Sequence, residues 1–233
     1  MRVLVTRPAE DAARTAARLE AAGHKAVIAP LFAIKPTGAA IDPAGVGGIL
    51  LTSRNGVRTL SGEDVARFAR LPVFAVGDAT AQAARDAGFQ NVTSASSDSA
   101  ALVRVVRRAI SPHTGALVHI AGAHVAGDVA GDLKRVGFAV RRIVAYDAVA
   151  EDALAVAARD TIIRQAPEMA LVYSERAAEA LIGLYARMPA WLARPGIAAI
   201  SARAARPFAE AGGWKVKIAS RLDEAALLAA LET

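Results

Sequence analysis

The chain predicts an α/β fold built as two similar domains, each a parallel sheet flanked by helices, joined by a two-stranded linker. Three observations carry this. Strand-like apolar runs alternate with helical ones along all 233 residues, the pattern of parallel strands covered by helices. Matched blocks recur in the same order in the two halves, as an internal repeat does. Finally, 26–36 and 140–150 share a local pattern, with Phe32 in one where Tyr146 stands in the other. Both read as strands leaving one compact unit for another, which makes the link double and predicts a cleft beside it.

Taken in order, Val3, Leu4 and Val5 open a strand that runs to Thr6. Pro8 follows where a first helical turn tolerates it, with Glu10 and Asp11 where the macrodipole favours acid. Ala12, Ala16 and Leu19 give that helix its buried stripe, and Gly23 stops it. A strand over 25–34 runs into the Pro36-Thr37-Gly38 break. Next come a strand over 48–52, a helix from near Ser53, a second helix over 61–70 and a strand over 72–76. Gly77 and Asp78 open a helix that closes at Gly88, a short strand covers 91–94, and Ser97-Asp98 cap a helix carrying Leu102, Val105, Val106 and Ile110. After a turn over 112–115 comes the strand Val118-His119-Ile120, then a helix whose inner stripe is Val125, Val129, Leu133 and Val136, ended by Gly137. The strand containing Tyr146 follows. Helices over 152–165, 176–187, 202–211 and 224–231 then alternate with strands over 169–174, 197–201 and 215–219.

The repeat is specific in places. Leu19 to Gly23 with His24 matches Leu133 to Gly137 with Phe138. Leu50-Leu51-Thr52-Ser53-Arg54 echoes Leu171-Val172-Tyr173-Ser174-Glu175, so Ser53 and Ser174 stand in equivalent places. Ala75 to Ala81 echoes Ala199 to Ala205, each followed by a helix that ends at Gly88 or Gly212. Four matched blocks in one order are hard to attribute to Ala-rich α/β sequence resembling itself. Taken alone, the repeat would cut the chain near Ser111.

Composition narrows the function. Cysteine is absent, which removes disulfides and thiolate metal sites and fits a reducing compartment. The apolar run at the start is broken by Arg7 and too short for a signal-peptide core, and no stretch has the length of a membrane span. The expectation is a cytoplasmic protein. A net charge of +6 favours an anionic partner, and 23 of the 28 basic residues are Arg, which suits forked recognition of carboxylates, although codon bias explains such a composition as well. Nucleic acid ranks low: no basic run is interleaved with aromatics, which make up 5% of the chain.

Familiar cofactor signatures are missing. No G-x-G-x-x-G follows a strand. Gly122 and Gly127 have the spacing of a P-loop's outer glycines, but Asp128-Val129 follows where Lys and a hydroxyl residue are needed. His119 and His124 have no carboxylate partner in a ligand pattern, so a metal ranks well below a surface or part-buried pair. What remains is a set of strand-to-helix turns bearing hydroxyls: Thr6, Ser53, Thr80, Ser174 and Ser201. Ligands of open parallel sheets bind outside the carboxyl ends of the strands, where helix N-terminal N–H groups attract anions. Any one of these hydroxyls is more readily a helix cap than a ligand contact; several facing one cleft favour the ligand.

Val5-Thr6-Arg7-Pro8, Leu51-Thr52-Ser53 with a helix after it, Val76-Gly77-Asp78-Ala79-Thr80-Ala81 and Tyr146, in this order, resemble the uroporphyrinogen-III synthase family over nearly the whole chain. Each motif is short, and their order supplies the specificity. The resemblance implies a staggered connectivity: 1–34 with 150–233 as a first, discontinuous domain, 37–143 as an inserted second one, and linker strands near 30–36 and 143–150. It implies a cofactor-independent, monomeric enzyme that dehydrates and cyclises hydroxymethylbilane, a linear tetrapyrrole with carboxylate side chains, to uroporphyrinogen III with ring D inverted. The family's linker tyrosine falls on Tyr146, as donor to the departing hydroxyl; an aromatic wedge packing the hinge fits it equally. Thr6, Ser53, Thr80, Ser174 and Ser201 become substrate-binding candidates, and Arg7, Arg54, Arg141 and Arg203 candidate carboxylate contacts. Where the family often has Gly-Pro-Thr-Thr-Ala, this chain has Ser201-Ala202-Arg203-Ala204-Ala205, so Ala204 replaces the usual threonine. The alternative from another class is a non-catalytic two-lobed binding protein for an anionic small molecule.

Overall fold

The computed structural model describes residues 1–96, 98–125 and 127–232. In chain order the elements are β1 (Arg2–Val5), α1 (Ala9–Ala21), β2 (Lys25–Ile28), β3 (Phe32–Pro36), β4 (Val46–Leu51), α2 (Arg54–Arg58), α3 (Gly62–Phe68), β5 (Pro72–Ala75), α4 (Asp78–Ala87), β6 (Asn91–Ser94), α5 (Ser99–Ala109), β7 (Ala116–Gly122), α6 (Val129–Arg135), β8 (Val140–Ala150), α7 (Asp152–Gln165), β9 (Met169–Val172), α8 (Glu175–Tyr185), β10 (Gly196–Ala199), α9 (Ala202–Ala211), β11 (Val216–Ile218) and α10 (Glu224–Ala229), with a 3-10 turn at Pro112–Thr114 where a plain turn is predicted.

Two compact units result, one formed by Met1–Ala33 and the chain from Val149 on, the other by Ile34–Ala148. The first holds a five-stranded sheet in the order β11-β10-β9-β1-β2, whose pairings are all parallel. The second holds a six-stranded sheet in the order β3-β8-β7-β4-β5-β6, parallel from β8 to β6. The chain passes between units within β3 and within β8, which are neighbours in that sheet.

Each sheet is buried on both faces. In the first unit Leu4, Ala170 and Ile197 face a cluster with Ile162, Leu181 and Phe208, while Val3, Val5 and Leu171 face one with Leu19, Leu227 and Leu231. The same strands thus read as continuous apolar runs, as parallel strands covered by helices do. In the second unit Ile49, Leu51 and Ile120 face α2 and α4, and Leu50, Phe74 and Leu117 face α5 and α6.

Two expectations need correction. The strand predicted over 25–34 is two strands, because the peptide between them carries Pro30, which has no N–H for a ladder. Val125 and Val136 do not belong to the inner stripe of α6; they are 41% and 36% exposed, and Val129 and Leu133 alone of the four are buried. Phe32 and Tyr146, though similar in local pattern, join different cores: Phe32 packs in the first unit under the guanidinium of Arg176, at 5.2 Å, and Tyr146 packs in the second. Asp98 caps α5 by accepting from Ala101 N at 2.8 Å, whereas Ser97, expected beside it, lies outside the described residues.

Candidate functional site

In each unit the predicted hydroxyls fall at the carboxyl edge of the parallel sheet, because the strands that precede them, β1, β4, β5, β9 and β10, each lead into a helix within a few residues. In the first unit Thr6 and Arg7 follow β1, Ser174 follows β9 and Ser201 and Arg203 follow β10, on three neighbouring strands. Ser174 and Ser201 are helix N-caps, their Oγ atoms accepting from Ala177 N and Ala204 N at 3.2 Å each. Extended backbone at both residues lets the side chain fold back onto the first turn.

Ala204, the position where the family often carries threonine, is buried in the core. Its counterpart Thr80 is also buried, at the start of α4, whose cap Gly77 has no side chain to offer. Each copy of the turn therefore carries one hydroxyl, on the helix in the first copy and on the cap in the second.

The arginines are largely committed to the protein's own acids. Arg203 Nε donates to Glu175 Oε2 at 3.1 Å, and Arg206 pairs with the other oxygen of that carboxylate. Arg141 donates to Asp42 Oδ2 at 3.1 Å and to the carbonyl of Ala44 at 2.8 Å. Arg7 points inward, its Nη1 3.2 Å from Glu224 Oε1 and its Nη2 3.3 Å from Asp11 Oδ2, with the guanidinium 4.1 Å from the centre of the Tyr173 ring.

In the second unit Ser53 and Arg54 follow β4, Thr80 follows β5, and Tyr146 lies on β8. Ser53 caps α2 by accepting from Asn55 N at 3.1 Å. Tyr146 is 9% exposed. Two features hold it. The register between β7 and β8 shifts by one residue, from Ala121 beside Val144 to Gly122 beside Tyr146, so Ala145 and Tyr146 both join one core cluster where a regular strand would alternate. Gly122 then supplies room: a Cβ there would stand 2.8 Å from Cε2 and Cζ of the ring and 3.1 Å from its hydroxyl oxygen. The phenol therefore lies over the last residue of β7, with its oxygen at the carboxyl edge of the sheet. Nothing local in the sequence marks Gly122 for this purpose, because the pairing spans two strands.

His119, which motif reading weighs only as a metal ligand, has a placement that the sequence does not show. It lies on β7 beside Leu50 and Arg142, 2% exposed, with Nε2 3.1 Å from Thr52 Oγ1 and Nδ1 without a hydrogen-bond partner. Burial first and the Arg142 guanidinium second push its pKa down to about 4, against a small opposing pull from Asp128. The imidazole is thus neutral at neutral pH. His124 is exposed and stands 4.0 Å from Asp147. Among the described residues no group of three or more His, Cys, Asp or Glu is arranged to hold a metal ion.

A family model described as uroporphyrinogen-III synthase HemD matches residues 13–229. The chain belongs to that family. It is therefore a uroporphyrinogen-III synthase, an enzyme that carries out the cyclisation step of tetrapyrrole biosynthesis. The fold agrees with solved synthases. The chain superposes on a uroporphyrinogen-III synthetase from Helicobacter pylori with a TM-score of 0.67 at 14% identity, covering 100% of this chain and 99% of that one. On a mutant synthase from Thermus thermophilus the TM-score is 0.53 at 17% identity, covering 100% and 96%. Comparison with curated protein sequences gave no match. No helix among the described residues of this synthase is long and apolar enough to cross a membrane.

Proposed function

We propose that the substrate is hydroxymethylbilane, that the product is uroporphyrinogen III, and that Tyr146 is the proton donor of the first step. The terminal hydroxyl leaves as water once it takes a proton, with electrons supplied by the adjoining pyrrole, and an electrophilic azafulvene remains. The substituted carbon of ring D attacks that centre. The resulting spiro intermediate fragments and recloses with ring D inverted. Closure without inversion needs no catalyst, so the protein's main contribution is geometry.

One observation carries the assignment of Tyr146: the register shift and Gly122 together fix a phenol at the carboxyl edge of a parallel sheet, where such folds bind ligands. A neutral phenol is a competent donor without an altered pKa. Ser53, Ser174 and Ser201, with the N–H groups of the turns they occupy, take the substrate's carboxylates, while Thr6 and Thr80 are buried and serve by shaping their turns. Arg7 and Arg203 contribute less than their charge suggests, since each already faces an acid of the protein. The same reading makes the enzyme a cytoplasmic monomer that uses neither a cofactor nor nucleic acid.

The test is product analysis. Purified protein incubated with hydroxymethylbilane, with the oxidised products resolved by chromatography, yields the type III isomer; type I alone overturns the proposal.

A further inference from the structure

Arg7 and Glu224 are 217 residues apart in sequence and meet at the carboxyl edge of the five-stranded sheet. Glu224 is the first residue of α10, whose place is set by Leu227 and Leu231 in the core and by the Asp223 cap, which accepts from Ala226 N at 2.7 Å. Its carboxylate is a hub. Oε1 accepts from Thr15 Oγ1 at 2.6 Å, from Tyr173 Oη at 2.9 Å and from Arg7 Nη1 at 3.2 Å, and Oε2 pairs with Arg18. Burial pushes the carboxyl's pKa up, but these donors outweigh it and hold Glu224 below the ordinary glutamate range. Burial, then the Glu224 charge, raise the Tyr173 phenol to about 12.

Two of those partners adjoin candidate substrate contacts. Arg7 follows Thr6 at the end of β1, and Tyr173 precedes Ser174 at the end of β9. Arg7 also lies against the Tyr173 ring, so the turns after these neighbouring strands are tied to one carboxylate and to each other. With its side chain only 19% exposed, Arg7 has little access to solvent if Glu224 loses its charge.

We propose that Glu224 is a positioning residue, holding Arg7 and Tyr173 so that the turns bearing Thr6 and Ser174 are preset for the substrate, and that Arg7 acts through this clamp rather than on a substrate carboxylate. The inference rests on the substrate reading of those turns.

A double-mutant cycle tests it, using the full chain, hydroxymethylbilane, and the variants Glu224→Gln, Arg7→Gln and their combination. Glutamine keeps one acceptor oxygen for Thr15 and Tyr173 but puts an amide NH2 where the second oxygen pairs with Arg18, so that pairing goes with the charge, and the melting temperature checks that the fold survives. Each single variant raises KM by about tenfold, with kcat changed less, and the double variant is no worse than either alone within about twofold. Effects that multiply in the double variant place Arg7 on the substrate independently and overturn the clamp. A lowered melting temperature with unchanged KM reduces it to ordinary stabilisation and overturns it equally. If the wild-type chain makes no type III isomer, the functional reading fails instead. The clamp is then still tested by following tyrosinate absorbance against pH. Burial and the Glu224 charge raise the Tyr173 phenol, so its tyrosinate, read as the difference from Tyr173→Phe, should form at lower pH in Glu224→Gln; a titration indifferent to the substitution overturns the clamp.

Discussion

Lowering the pH from 7 to 5 should loosen the six-stranded unit through one side chain, His119. The imidazole has an ordinary pKa of 6.5 in the unfolded chain and about 4 in the fold, where burial and Arg142 disfavour its charged form. Between those values the unfolded chain binds a proton that the folded chain refuses. The stability His119 leaves intact above 6.5 is therefore lost as pH falls toward 4. The full gap corresponds to roughly 3 kcal/mol, and about 2 kcal/mol of it is gone by pH 5.

The assay is urea unfolding at both pH values, comparing the wild type with His119→Asn. Circular dichroism is the suitable signal, because Trp191 and Trp214 both lie in the other unit and their fluorescence would report on that one. The wild type should lose about 2 kcal/mol more than the variant between pH 7 and pH 5. Equal losses, or an imidazole resonance titrating near the ordinary 6.5, would refute the reasoning.

The other expectations concern the carboxyl edges of the two sheets. Tyr146→Phe lowers the rate of type III product with little change in melting temperature; an unchanged rate leaves the ring as a packing wedge. Gly122→Ala places a methyl 2.8 Å from two ring atoms of Tyr146, which costs about 1–3 kcal/mol as overpacking and moves the phenol. Its turnover should fall at least as far as that of Tyr146→Phe, and full turnover in a destabilised Gly122→Ala protein would show that the hydroxyl's position is immaterial. Ser174→Ala removes a helix cap and costs about 1 kcal/mol in denaturant unfolding; a raised KM beyond that assigns Ser174 to the substrate, and an unchanged KM confines it to capping.

Much of this architecture is legible locally. The helices α7 and α9 begin and end where the sequence pattern predicts, because an acidic or hydroxyl start and a final break, at Pro167 or Gly212, bracket each one. The hydroxyl turns are legible for the same reason: Ser53, Ser174 and Ser201 cap helices that begin at the next residue, and capping leaves a signature within four positions. What escapes is what pairing across the sequence creates. The register shift at Ala145 is invisible until β8 lies beside β7, and Gly122 resembles any strand-end glycine until Tyr146 is placed on it. Glu224 looks like routine acid at a helix start, as the macrodipole favours. Only the closed fold brings Arg7, Thr15, Arg18 and Tyr173 around it. Arg7 itself, attractive as a free cation in sequence, is already neutralised by that arrangement.

The strand order of the five-stranded sheet also sets a timetable for synthesis. β1 lies between β2, which follows it within a few turns of chain, and β9, which begins only at Met169. The stretch Ile34–Ala148 is contiguous and can close its core as soon as it has left the ribosome. During that interval β1 has no partner on the side that β9 takes, and Val3 and Val5 lack the cover that Leu227 and Leu231 later provide. The unit that begins first is thus completed last, and its nascent N-terminal strands are the part of this synthase most open to wrong pairing.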